Sequence, residues 1–183
     1  SDIALMRELG YRVYRFSVNW PRVLPAGTGA VNEAGLAFYD RLVDALLAAG
    51  IEPWVTLYHW ELPSALERAG GWLSRATVDA FEQYAELMAR RFGDRVKRYM
   101  TVNEPQCAVG LGYGNGMHAP GKQLPEEDLI RCMHHFALAH SAAQRAIKRV
   151  SPQALVGAAP CGRLCYPLVD TEKGREAAYN ASF

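Results

Sequence analysis

The sequence predicts an α/β fold in which a parallel sheet is covered by helices, and three observations lead there. Helix-periodic stretches alternate with short apolar runs rich in β-branched and aromatic residues. Each helical stretch closes on a glycine or proline stop. No Ser-, Pro- or Gly-rich linker breaks the alternation, so the 183 residues read as one domain or part of one.

Taken in order, Ile3, Leu5, Met6 and Leu9 predict a first helix that stops at Gly10, ahead of an apolar run from Tyr11 to Trp20. Leu36, Tyr39, Leu42, Val43, Leu46 and Leu47 share one helix face, with Asn32 as the expected N-cap and Ala49-Gly50 as the stop before Ile51 to Trp60. Phe81, Ala85, Met88 and Phe92 mark a third helix, with Thr77 as its expected N-cap and Gly93 as its end before Val96 to Asn103. Gly10, Gly50 and Gly93 are each expected in the left-handed conformation that follows a helix. Glu126, Glu127 and Asp128 place negative charge at the start of a fourth helix, where the dipole favours it. That helix runs through Ile130, Ala137, His140, Ala143 and Ile147 to Ser151-Pro152, and Ala154 to Ala159 reads as a further buried strand.

Composition narrows the function. Lys and Arg number 20 against 19 Asp and Glu, and a net charge of +1 creates no field that would gather nucleic acid or an anionic membrane. Cys107, Cys132, Cys161 and Cys165 match no zinc-ligand spacing, so no metal site is expected and reduced, buried thiols are. No apolar run reaches the roughly 20 residues of a membrane span, and no signal segment opens the chain. A cytoplasmic location is the expectation. Ser1-Asp2 leads straight into a helical pattern, so the natural N-terminus is expected upstream, where a signal peptide would be out of view.

Periodicity does not choose between an open doubly wound sheet and a closed barrel. Neither a G-x-G-x-x-G nor a Walker A sequence is present. Gly110-Leu111-Gly112 comes nearest, but it lies beyond Asn103-Glu104-Pro105 and is expected to open no helix. Polar residues at the ends of the apolar runs say more. Arg15, Ser17 and Asn19 interrupt the first run, His59-Trp60-Glu61 ends the second, and Asn103-Glu104-Pro105 ends the third. Each has a structural reading by itself: an arginine paired with a buried acid, a satisfied core histidine, a turn. Their recurrence at equivalent ends of successive strands points to a site built from strand ends. A carboxyl beside an amide and among aromatics suits glycoside cleavage, in which a carboxylic acid protonates the leaving oxygen. Pro105 restricts the backbone of Glu104 toward extended conformation. Trp20, Trp54, Trp60, Trp72, Tyr58 and Tyr113 offer faces for stacking on sugar rings, although each is more often core.

Tyr14-Arg15-Phe16-Ser17, Trp20-Pro21-Arg22-Val23-Leu24-Pro25, Leu57-Tyr58-His59-Trp60-Glu61-Leu62-Pro63, Thr101-Val102-Asn103-Glu104-Pro105 and His118-Ala119-Pro120-Gly121 together resemble glycoside hydrolase family 1. The resemblance runs from the first helix to Tyr166-Pro167. It implies a retaining β-glycosidase of the β-glucosidase type that acts on terminal β-linked sugars without cofactor or metal. The fold implied is a partial (β/α)8 TIM barrel, strands two to five with their helices, so residues 1–183 would be a single incomplete domain from a longer catalytic one.

By position, Glu104 would be the general acid/base and Asn103 would bind the sugar 2-hydroxyl. His59 and Trp60 would contact hydroxyls of the cleaved sugar. Arg15 would lie under the pocket and keep the nucleophile ionised, and His118 to Gly121 would be structural. Glu61 stands where Asp is commoner, Tyr99 where Trp is, Gln106 where an aromatic shapes the leaving-group subsite, and Cys161 where an asparagine is usual. The Glu-Asn-Gly nucleophile motif of the family does not occur in these residues. The expected partners are a β-glycoside and the remainder of the barrel, or a second copy joined through open sheet edges. The alternative function is a non-catalytic half-barrel that self-associates or binds sugar weakly.

Overall fold

A computed structural model describes residues 2–182. In chain order the elements are α1 (Asp2–Glu8), β1 (Val13–Ser17), α2 (Trp20–Val23), α3 (Glu33–Ala48), β2 (Glu52–Tyr58), α4 (Ser64–Arg68), α5 (Arg75–Phe92), β3 (Arg98–Asn103), α6 (Pro105–Val109), α7 (Glu126–Val150), β4 (Leu155–Ala159) and α8 (Glu172–Ala181). The four strands form one sheet in the order β1-β2-β3-β4. Every pairing is parallel, with Phe16 beside Val55, Tyr58 beside Val102 and Asn103 beside Ala159. Sequential parallel strands joined by helices make this part of a (β/α)8 barrel. None of the described helices is long and apolar enough to cross a membrane.

The central strands are the buried ones. Val55, Leu57, Thr101 and Val102 are buried, whereas Val13 on β1 is 41% exposed and Leu155 on β4 is 57% exposed. Both outer strands are therefore sheet edges, as expected. The core lies between the sheet and helices α3, α5 and α7. Trp20 stacks on Tyr84 at 5.1 Å between ring centroids, and Trp72 stacks on Phe136 at 3.9 Å. The Trp72 indole N–H donates to the Tyr58 hydroxyl at 3.0 Å, so neither buried polar group is orphaned.

Several expectations need correction. Of the run Tyr11 to Trp20, only Val13–Ser17 pairs as strand. Asn19, expected among the site residues, caps α2 instead: its Oδ1 accepts from the Arg22 N–H at 2.9 Å, and its own N–H donates to the Tyr39 hydroxyl. Asn32 caps α3 as expected, accepting from Gly35. Thr77 is not a cap. The helix begins two residues earlier, at Arg75, and Thr77 Oγ1 donates to the Gly71 carbonyl at 2.6 Å. Gly10 and Gly50 have φ of +77° and +74°, as a helix stop requires. Gly93 does not: its φ is −64°, and its need is for space, since a Cβ would stand 2.5 Å from the Ala89 carbonyl oxygen. Gly110–Gly114 forms a π-helical turn continuous with α6, where no helix was expected.

A cluster of ion pairs where α3 meets the end of α5 supplies a test. Burial pushes the Asp40 carboxyl up, but hydrogen bonds from Arg91 and Arg95 outweigh it, and Asp40 ends below the ordinary aspartate value. Its contribution to stability is thus complete above about pH 4 and is lost as pH falls through the lowered folded-state value. Asp40→Asn is expected to cost about 1–2 kcal/mol near neutral pH, the partly exposed Arg91 contributing least. Urea melts at a series of pH values should show wild type and variant converging in acid.

Candidate active site

Because the strands are parallel, their C-terminal ends share one side of the sheet, and the side chains there meet. Thr56 follows Val55 on β2, beside Ser17 on β1. Its hydroxyl accepts from Arg15 Nε at 2.9 Å, and the same guanidinium donates through Nη2 to Asn103 Oδ1 on β3. The Asn103 amide nitrogen faces His59 Nε2 at 3.3 Å. Thr56, Arg15, Asn103 and His59 thus form one polar chain across the ends of three strands, and Asn103 is only 3% exposed.

Trp60 and Glu104 are the two non-glycine residues with positive φ among those described, at +85° and +44°. The left-handed region costs an L-residue about 1–3 kcal/mol and persists where surrounding contacts overdetermine it. Those contacts are visible. The Trp60 indole donates to the Asn103 carbonyl at 3.0 Å, and its ring lies 5.3 Å from those of His59 and His118. The Glu104 N–H donates to the Ala159 carbonyl at 2.9 Å, while the Glu104 carbonyl accepts from Cys107 and Ala108 at the start of α6. The expected extended backbone at Glu104 is therefore corrected: the hydrogen bond to β4 and the immediate start of α6 hold it left-handed.

A cavity of about 420 Å³ adjoins this network, lined in part by Trp60, Glu61, Glu67, Tyr113 and His118. Burial pushes the Glu61 carboxyl up, against hydrogen bonds from backbone N–H groups and the nearby His59, and its Oε2 has no hydrogen-bond partner. Tyr113 donates to the Glu67 carboxylate, which also pairs with Lys122. A second concavity of about 430 Å³, at the β1 side, is lined by Arg15, Ser17, Thr56 and His59 among others. Glu104 is half-buried and lines neither.

The structure thus brings Arg15, His59, Trp60 and Asn103 into direct contact and sets Glu104 next in chain to Asn103. Of the aromatic platforms, Trp20 and Trp72 are core, Trp54 lies under the Arg98 guanidinium, Tyr58 and Tyr113 line the cavity but are buried, and Trp60 lines it half-buried. His118 does more than shape its loop, because its ring packs on Trp60 and lines the cavity. Thr56 was missed, although a polar residue inside the apolar run Trp54 to Tyr58 was a readable signal. The cysteines also depart from expectation. Cys132 is buried, but Cys107 and Cys165 are half-buried and Cys161 is exposed. The Cys107 and Cys161 sulfurs lie 3.7 Å apart, and with the Glu104 carboxylate they place three candidate ligand atoms within 4.8 Å of one another. Burial first, and then the neighbouring Cys161 and Glu104, push the Cys107 thiol up.

A parallel sheet with outer helices and a polar network across its C-terminal strand ends defines a segment of a (β/α)8 barrel. The profile of glycosyl hydrolase family 1 matches residues 1–182, and the chain belongs to that family. It is 46% identical over 180 residues to a beta-glucosidase of an Agrobacterium species, covering 98% of this chain and 39% of that protein. Beta-glucosidase A of Thermotoga maritima is 43% identical over 159 residues, covering 85% of this chain and 35% of its own. The solved family 1 β-glucosidase from Thermotoga maritima in complex with deoxynojirimycin superposes with a TM-score of 0.94 at 39% identity, covering 98% of this chain and 40% of that one. The chain therefore spans about two fifths of the length of these relatives.

The network has a measurable worth. Arg15→Met would leave the buried Asn103 Oδ1 without its donor and is expected to cost about 1–3 kcal/mol. Thr56→Val, which removes only one acceptor from Arg15, should cost less. A urea midpoint that fell by the same amount in both variants would contradict the assigned order.

Proposed function

We propose that this chain carries the acid/base portion of a retaining β-glycosidase site that acts on β-glucoside-type substrates. Glu104 donates its proton to the glycosidic oxygen as the bond to the anomeric carbon breaks, and a second carboxylate attacks that carbon. Glu104 then takes a proton from the water that releases the sugar. The observation that carries the reading is the placement of Glu104 directly after Asn103, whose amide is held by Arg15 and His59, at the end of a central barrel strand. Asn103, His59 and Trp60 would hold sugar hydroxyls, through hydrogen bonds that strengthen as charge develops at the anomeric carbon. Arg15, bound to Asn103 here, would orient that amide and place positive charge under the pocket. The substrate class is supported by relatives that are beta-glucosidases and by solved neighbours in complex with glucoimidazole and deoxynojirimycin.

In a catalytically complete protein carrying this segment, Glu104→Gln is expected to slow cleavage of alkyl or sugar glycosides by about 10²–10⁴-fold, the range of general acid catalysis. Substrates with good leaving groups depart without a proton and should be spared in the first step, and azide should restore turnover in the second. Equal loss on both substrate types with no azide rescue would remove Glu104 from the role. Asn103→Ala is expected to lower kcat/KM by the equivalent of about 2–4 kcal/mol. The same loss with 2-deoxy substrates would refute the contact to the 2-hydroxyl.

Retaining cleavage needs two carboxylates about 5–5.5 Å apart. Residues 1–183 by themselves are therefore expected to hydrolyse no aryl β-glucoside. A second reading, a half-barrel that self-associates, is favoured by the exposed edge strands β1 and β4, whose unpaired backbone groups recruit another chain. Light scattering alongside the hydrolysis assay tests both expectations. A stable monomer that turns over substrate would sink them together.

A further inference from the structure

We propose that Cys107, Cys161 and Glu104 form a site for a thiophilic divalent cation, zinc being the probe of choice, just past the C-terminal ends of β3 and β4. The proposal rests on the acid/base reading only for its consequence, which is that an ion bound there takes the Glu104 carboxylate out of proton transfer.

The topology builds the cluster from remote residues. Asn103 pairs with Ala159, and the Glu104 N–H is bonded to the Ala159 carbonyl, so the loops leaving β3 and β4 start side by side. Cys107 lies one turn along α6 from Glu104, and Cys161 lies two residues past Ala159. Their sulfurs are 3.7 Å apart. Two thiolates bound at about 2.3 Å to a tetrahedral ion stand roughly 3.8 Å apart, so the sulfurs already hold that spacing. The carboxylate completes a three-atom set within 4.8 Å. Water would fill the fourth position, the coordination of an open zinc site.

The surroundings suit this ligand set. Two sulfurs select zinc, cadmium or copper(I) over magnesium and calcium. The Gln106 side-chain amide donates to the Cys161 carbonyl, and to Cys161 Sγ at 2.9 Å, which orients the sulfur as an outer partner of a metal ligand does. Glu104 forms no ion pair with any described residue, so no side-chain cation competes for the position. Exposure of Cys161 leaves the cluster open to an ion from solvent.

Cobalt(II) gives the direct readout. Titrated into the protein under a non-thiol reductant, it is expected to produce a thiolate-to-cobalt charge-transfer band that saturates at about one ion per chain and is bleached by zinc. Loss of an outer-shell partner weakens metal affinity by about 10–100-fold, so Gln106→Ala should fall in that range and Cys161→Ser should cost roughly 100-fold or more. Glu104→Gln should keep the band and weaken it by about tenfold. Cys165→Ser should change nothing. Cys161 is exposed, so its serine variant, with a parental circular dichroism spectrum as control, is the decisive one. No band, or a band of parental affinity in Cys161→Ser, overturns the site, and parental affinity in Glu104→Gln overturns the carboxylate as its third ligand. In the catalytically complete protein, zinc should lower kcat, and Cys161→Ser should relieve the inhibition. Cobalt binding is read without turnover, so a failed acid/base assignment leaves the spectrum intact, and a failed metal site leaves the Glu104→Gln kinetics intact.

Discussion

The buried amide of Asn103 is the constraint on which the strand-end site depends. It sits at the last residue of β3, accepts from Arg15 of β1, faces His59 just past β2, and lends its backbone carbonyl to Trp60. An amide is suited to the position because it both donates and accepts, whereas a carboxylate only accepts and an aliphatic side chain does neither. Its burial makes each partner matter, since an unpaired polar group in the interior costs more than a paired one contributes. The strands thus fix the site, and the site cross-links the strands.

This clamp also explains where backbone strain is held. Trp60 and Glu104 take left-handed conformations two residues beyond β2 and directly beyond β3. In both cases the residue is tied across to the next strand, Trp60 to the Asn103 carbonyl and Glu104 to that of Ala159. The chain consequently turns away within two residues of β2 and within one of β3, which keeps His59, Trp60, Asn103 and Glu104 at the rim instead of continuing into the sheet. Positive φ at such residues is the pattern of a site preorganised by its scaffold.

Burial is distributed unevenly, and the reason is topological. Trp20, Trp72, Phe81, Tyr84 and Phe136 pack at aromatic contact distances around the α5–α7 layer, and Tyr58 of β2 reaches into the same cluster. β1 and β4 have a strand on one side only and carry exposed Val13 and Leu155. The same openness leaves Arg15, Ser17 and His59 around a concavity at the β1 side. In a closed barrel such positions face further strands.

What the sequence by itself determined is the local and periodic content. Alternating helix faces and apolar runs predicted the four parallel strands, Asn32 announced a helix start, Gly10 and Gly50 announced helix ends, and polar residues at strand ends marked Arg15, His59 and Asn103. These are legible because a hydrophobic period or a cap is written within a few consecutive residues. Tertiary structure decided the rest. Thr77 looked like a cap but bonds back to Gly71, and Gly93 looked like a left-handed stop but is needed for its close approach to Ala89. Asn19 was diverted from the site by a short helix that needed its oxygen. Most of all, no spacing pattern relates Cys107 to Cys161, because the pairing of Asn103 with Ala159 brings them within 3.7 Å across 54 residues of chain. Contacts of that kind are set by which strands pair and in what register, a property of the whole sheet and not of any window of sequence.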